Sequence, residues 1–121
     1  MCYSTLDISV RLLHKPRYLS SVGVYGDHGG GWVEATTPAA PVTRRGQYRL
    51  AAERAWLALH ASDGLPVHIF RLAGIYGPER GHLFQQYLKN EAIIPGQGER
   101  IINMIHLDDL ITVILAALKN G

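Results

Sequence analysis

The chain has 121 residues, 47% of them apolar and 18% charged, with a formal net charge of +2. That length bounds it at one domain at most and still permits a core, because a chain of this size buries roughly two-thirds of its surface. The charge is too small, and the basic residues too scattered outside Arg44, Arg45 and Arg49, to indicate a nucleic-acid partner.

In Met1–Pro16 the apolar residues Ile8, Val10, Leu12 and Leu13 fit neither a helical nor a strand period. Asp7 and Arg11 stand where a secretion signal would be apolar. Pro16 ends any helix before the next element, so 1–16 reads as a lead-in or helix remnant. Arg17–Val24 then reads as a buried strand ending in a polar turn, with Ser20 and Ser21 near its carboxyl end and Tyr25 and Gly26 following. In an open α/β sheet that end faces the ligand crevice, where a serine can hydrogen-bond a substrate hydroxyl or carbonyl. A plain Ser-containing turn accounts for the same residues.

Asp27–Val42 is rich in Gly and Pro and is expected to be a loop, with Trp32 and Val33 pinning it to the body. Gly29–Gly31 lack the G-x-G-x-x-G spacing of a phosphate cradle, and no helix opens directly after them. Thr43 is a good N-cap for a helix to about Ser62, with Gly64 as its stop. Tyr48, Ala51, Ala52, Ala55, Trp56 and Leu59 form its apolar stripe. Pro66–Leu72 is a continuous apolar strand, which completes a βαβ unit.

Ala73–Gly81 is expected to be a loop at the carboxyl end of that strand, followed by a short helix over His82–Asn90. A short strand at Ala92–Pro95, a turn at Pro95–Gly98 and a strand at Arg100–Ile105 come next. Leu107–Lys119 closes the chain as a helix, with Asp108 and Asp109 in its first turn and Lys119 in its last, which suits the helix dipole. The longest apolar run, Ile111–Leu118 with Thr112 inside it, is far short of the roughly 20 residues a membrane span needs. Cys2, the single cysteine, excludes an internal disulfide and suits a reducing compartment, so a cytoplasmic protein without a membrane partner is expected.

Three segments carry a resemblance. S-S-x-x-V-Y-G-D at Ser20–Asp27, RLAGIYGP at Arg71–Pro78 and IHLDDL at Ile105–Leu110 resemble, in that order, the serine strand, the R-x-x-N-x-Y-G-P loop and the H-V-D-D segment of the extended short-chain dehydrogenase/reductases, the NAD-dependent epimerase/dehydratase family. RLAGIYGP as a string is closer to the atypical, YeeZ-like branch of that family. The resemblance covers about residue 17 to the end. It implies a Rossmann-like, doubly wound parallel sheet of α/β class that binds NAD or NADP. The first, glycine-rich βαβ unit of that fold has no counterpart here, so the chain is expected to be a truncated, C-terminal part of such a domain that binds the cofactor weakly or not at all by itself.

The family's catalytic set is Ser, Tyr and Lys, with Tyr and Lys four apart on one helix face. Ser21 falls on the serine position. Glu53 matches a family glutamate, and counting back from it puts the Tyr and Lys positions at Arg45 and Arg49. Tyr48 is near, but Ala52 stands four residues after it. Arginine is a poor general acid. Arg45, Tyr48 and Arg49 therefore remain open between a variant catalytic face, a phosphate or carboxylate contact, and a solvated helix start. The resemblance further implies that Arg49 and the backbone of Ala73, Gly74 and Ile75 contact the cofactor.

Gly74 replaces the loop's asparagine, and Ile102 stands where many members carry a phosphate-binding arginine, with Arg100 two residues back. Both departures argue against an ordinary nucleotide-sugar substrate. The histidines lack metal-ligand spacing, and there is no G-x-S-x-G nucleophile elbow. The resemblance implies the function of an NAD(P)-dependent epimerase/dehydratase-family oxidoreductase acting on a sugar-like or other hydroxyl- or carbonyl-bearing substrate, present here as a partial domain. A catalytically degenerate NAD(P)-sensing or protein-interaction domain is the alternative. Uncovered strand edges and apolar patches imply that the chain is either a homo-oligomer or poorly soluble.

Overall fold

In the computed structural model, which describes residues 15–94 and 96–120, the first strand β1 (Arg17–Ser21) is shorter than expected. The expected lead-in falls almost wholly outside the described residues. β1 stops at Ser21 because that side chain accepts a hydrogen bond from the Gly23 N–H at 3.1 Å. The bond caps one 3-10 turn, Val22–Tyr25, which buries Val24 and Tyr25. Gly26 follows at φ 81°, a conformation that favours glycine. A side chain there would also collide with the Ala40 carbonyl.

The long helix α1 (Arg44–Asp63) begins and ends as its caps predict. Thr43 Oγ1 accepts from the Gly46 N–H at 3.0 Å. Gly64 takes the left-handed conformation at φ 69° and donates its N–H to the His60 carbonyl. The packed face differs from the expected stripe. Gly46 and Glu53 are buried, and Arg49, Leu50, Ala52 and Trp56 are half-buried. Tyr48, Ala51, Ala55 and Leu59 face solvent. The helix makes its closest approach at Gly46, where a Cβ would meet the Gly23 carbonyl oxygen and Pro41 Cβ at 2.9 Å each. That places the residues sharing a face with Gly46 inside, a glutamate among them.

β2 (His68–Leu72) lies beside β1 in a two-stranded sheet, with the His68 N–H donating to the Pro16 carbonyl at 3.0 Å. It begins two residues later than expected, after Pro66, which has no N–H to offer a ladder. These elements form one unit, residues 15–28 with 33–71.

Residues 29–32 and 72–120 form a second unit. Its strand β3 (Gly74–Tyr76) occupies a stretch expected to be loop. It pairs in parallel with β4 (Met104–His106) in the register Gly74↔Met104, Ile75↔Ile105, Tyr76↔His106. A strand of three residues exists only through a partner distant in sequence, so its local pattern did not announce it. β4 is the end of the expected Arg100–Ile105 strand, moved one residue on. No strand forms at Ala92–Ile94. Helix α2 (His82–Leu88) is two residues shorter than expected, and α3 (Leu107–Asn120) carries Asp108 and Asp109 in its first turn. The His106 Nδ1 accepts from the Asp108 N–H at 3.1 Å, and the His106 ring meets the edge of Tyr76 at 5.1 Å. Trp32 pins nothing: it is fully exposed. Among the described residues no helix is long and apolar enough to cross a membrane.

Two outcomes follow. Gly46→Ala removes a glycine from the first turn of the helix, which by propensity alone stabilises by at most roughly 1 kcal/mol. The 2.9 Å contacts predict the opposite sign, a net loss of about 1–3 kcal/mol in urea unfolding. Secondly, Phe84, Ile93, Ile94, Ile101, Ile102 and Leu115 are all exposed. Apolar surface of that density drives association. Light scattering on the purified chain is expected to show oligomers, and a monodisperse monomer at high concentration that binds no apolar dye is the contrary result.

Candidate functional site

The only buried charged side chain among the described residues is Glu53, 1% exposed on α1. It receives Arg71 of β2 in a bidentate grip. Arg71 Nη2 donates to Oε2 at 2.7 Å, and Nε donates to Oε1 and Oε2 at 3.1 and 3.2 Å. The Arg71 guanidinium also lies over the Tyr25 ring, 4.7 Å from its centre. Tyr25 closes the turn that Ser21 opens. One charged pair thus joins α1, β2 and the serine turn.

The electrostatics follow from this geometry. Burial pushes the Glu53 carboxyl up, but the Arg71 hydrogen bonds, the nearby Ser20 hydroxyl and the Arg71 charge outweigh it and hold the carboxyl below its ordinary value. Arg71 is raised by its hydrogen bonds to Glu53, against burial, with Tyr25 adding to the rise. Ser20 is 3% exposed, and its hydroxyl lies outside good hydrogen-bond geometry even though it is near enough to favour the Glu53 anion.

Ser21 sits half-buried at the carboxyl end of β1. Its oxygen accepts from Gly23, which leaves its own proton free to be donated elsewhere. Arg45 and Tyr48 are on the exposed side of α1, Tyr48 at 68%. Arg49 turns back to β1 and donates from Nη1 to the Leu19 carbonyl at 2.8 Å. The structure therefore brings Ser21 and Arg49 onto one pair of packed elements, β1 and α1, and leaves Arg45 and Tyr48 in solvent. Ala73, Gly74 and Ile75 belong to the other unit. The expected loop is corrected there: Gly74 and Ile75 are strand residues, and the Gly74 N–H is bonded to the Asn103 carbonyl at 3.1 Å. A Cβ on Gly74 would meet Met104 Sδ at 2.6 Å, so the glycine serves the strand pairing. Among the described residues no three His, Cys, Asp or Glu side chains converge as metal ligands.

The model of the NAD dependent epimerase/dehydratase family matches residues 7–121. The chain belongs to that family. It is similar to Protein YeeZ of Escherichia coli strain K12, at 39% identity over 109 residues, which make up 86% of this chain and 36% of YeeZ. Among solved structures it is similar to a functionally unknown conserved protein from Silicibacter pomeroyi, with a TM-score of 0.71 at 35% identity, covering 98% of this chain and 42% of that one. A dTDP-glucose 4,6-dehydratase from Bacillus anthracis in complex with NAD superposes with a TM-score of 0.75 at 25% identity, over 93% of this chain and 41% of that one. The chain thus spans well under half the length of these relatives. Its α/β elements form part of the Rossmann-type fold they share.

The Glu53–Arg71 pair was the part that sequence reasoning missed. Arg71 stands in the otherwise apolar run PVHIFRL, and a charge inside a buried strand requires a counter-charge; that was the available signal. Arg71→Met strands the Glu53 carboxylate and is expected to cost about 3–5 kcal/mol in denaturant unfolding. The folded carboxyl titrates below its unfolded value, so its contribution is present at neutral pH and is lost as the pH falls below the ordinary glutamate range towards the lower folded value. Glu53→Gln is expected to flatten that acid limb of the stability curve, measured by unfolding at stepped pH.

Proposed function

We propose that this chain contributes the serine strand and its supporting helix to an NAD(P)-dependent epimerase- or dehydratase-type oxidoreductase that acts on a small hydroxyl- or carbonyl-bearing molecule. Family membership supports the nicotinamide cofactor, and the Bacillus anthracis relative is described with NAD. One observation in the chain carries the reading. Ser21 accepts from the Gly23 N–H, which leaves its hydroxyl proton available as a donor at the carboxyl end of a strand. A hydroxyl with that capacity can hydrogen-bond a substrate oxygen on which charge develops during hydride transfer.

Arg49 and Arg45 stand in the positions of the family's lysine and tyrosine. Neither arginine moves a proton near neutral pH. Tyr48, exposed beside them, is the phenol on this face of α1, and a substrate or a second copy of the chain seated there would bring it into use. Arg45 and Arg49 would then supply charge to the phosphate or ribose of the cofactor. NAD and NADP are equally compatible with the residues present, and the alternative remains a non-catalytic domain that senses the dinucleotide or binds a protein.

Hydride transfer is the test. With NAD or NADP at millimolar concentration and a panel of nucleotide sugars and simpler secondary alcohols, absorbance of the reduced nicotinamide reports turnover. Slow turnover is expected, and Ser21→Ala is expected to lower it by about 10²-fold. No turnover with any pair, in protein that melts cooperatively, supports the non-catalytic alternative. The sequence holds no G-x-G-x-x-G turn to receive a pyrophosphate. Calorimetry on the 121-residue chain is therefore expected to give dinucleotide binding weaker than micromolar, and a micromolar dissociation constant contradicts that expectation.

A further inference from the structure

At the Glu53–Arg71 pair lies an open-sided cavity of about 380 Å³, lined by Tyr25, Ala35, Leu57, Ile69 and Phe70 together with the ion pair, its polar floor. Its size falls in the range of small-molecule pockets, roughly 300–1,000 Å³. Its chemistry is specific. Arg71 uses Nε and Nη2 on Glu53 and one face on Tyr25. The hydrogen bonds to Glu53 use Nε and Nη2, and Nη1 is the guanidinium nitrogen they leave over. The walls are an aliphatic pair, Leu57 and Ile69, with Tyr25, Phe70 and a small residue, Ala35. The floor has one positive and one negative charge in close contact, so it offers no net attraction to an ion. A carboxylate entering would compete with Glu53 for the guanidinium, and an ammonium would compete with Arg71 for the carboxylate.

We propose that this cavity binds a small, flat, uncharged molecule bearing a carbonyl-type oxygen. The oxygen accepts from Arg71 Nη1, and the flat body lies against Leu57, Ile69 and Tyr25. The site is separate from the Ser21 hydroxyl and does not depend on any hydride-transfer role for it. Because Arg71 and Tyr25 also hold the turn that follows Ser21, occupancy of the cavity stiffens that turn.

The test uses benzamide as the neutral probe and benzoate and benzylamine as its charged counterparts, followed by protein-observed NMR on the full chain. Benzamide is expected to give saturable shifts at Tyr25, Leu57, Ile69 and the Arg71 side chain, and to bind at least tenfold more tightly than either ion. Ala35→Phe, at an exposed loop position on the rim, and Leu57→Trp each fill the cavity and are expected to abolish those shifts while the melting curve persists. Absence of saturable shifts overturns the proposal. So does tighter binding of benzoate or benzylamine, or retention of the shifts in either folded variant.

Discussion

The ion pair between Glu53 and Arg71 is the interaction on which the rest of the first unit depends. It is short and bidentate, and its carboxylate is 1% exposed. Few apolar side chains among the described residues of this unit are buried: Val24 and Tyr25. With so little apolar burial, a charged pair takes the central position that a cluster of leucines holds elsewhere. Charges in such a place are tolerated only when geometry returns what desolvation removes. Two parallel N–H donors on a carboxylate meet that condition, and a guanidinium stacked on Tyr25 adds to it.

That pair also explains the orientation of the long helix. An apolar stripe through Ala51 and Ala55 would turn Glu53 away from the sheet. The observed rotation brings Glu53 inward and leaves the alanines in solvent. Gly46 makes the rotation possible, because its missing side chain lets the start of the helix lie on the Gly23 carbonyl. The Arg49 bond to Leu19 then fixes the same helix to the serine strand at a second point. Three contacts on one face, at Gly46, Arg49 and Glu53, set where the serine turn stands relative to the helix that carries the variant residues.

The second unit is built differently. Its two strands are three residues each and owe their existence to one another. Met104 lies where a Gly74 side chain would stand, and Gly77 lets Leu107 and the His106 ring close over the strand end. The glycines of the R-x-x-x-x-Y-G-P string thus take part in packing in this chain. Tyr76 and His106, paired in register and in edge-to-face ring contact, hold that end of the sheet together.

Much was legible in the sequence. Thr43 and Gly64 marked both ends of α1, because caps act through a residue's own backbone and its near neighbours. Asp108 and Asp109 marked the start of α3 for the same kind of reason. Ser20–Asp27, Arg71–Pro78 and Ile105–Leu110 carried the family, and Ser21 could be placed at a strand end from its own segment. Three things depended on the folded chain. Which face of α1 is buried was decided by an arginine eighteen residues away. The early end of β1 was decided by a side-chain cap that the apolar run Val22–Val24 conceals. The strand at Gly74–Tyr76 was decided by its pairing with Met104–His106. Each of these rests on contacts between segments that are not neighbours in sequence, and local periodicity carries no information about which distant partner a residue will meet.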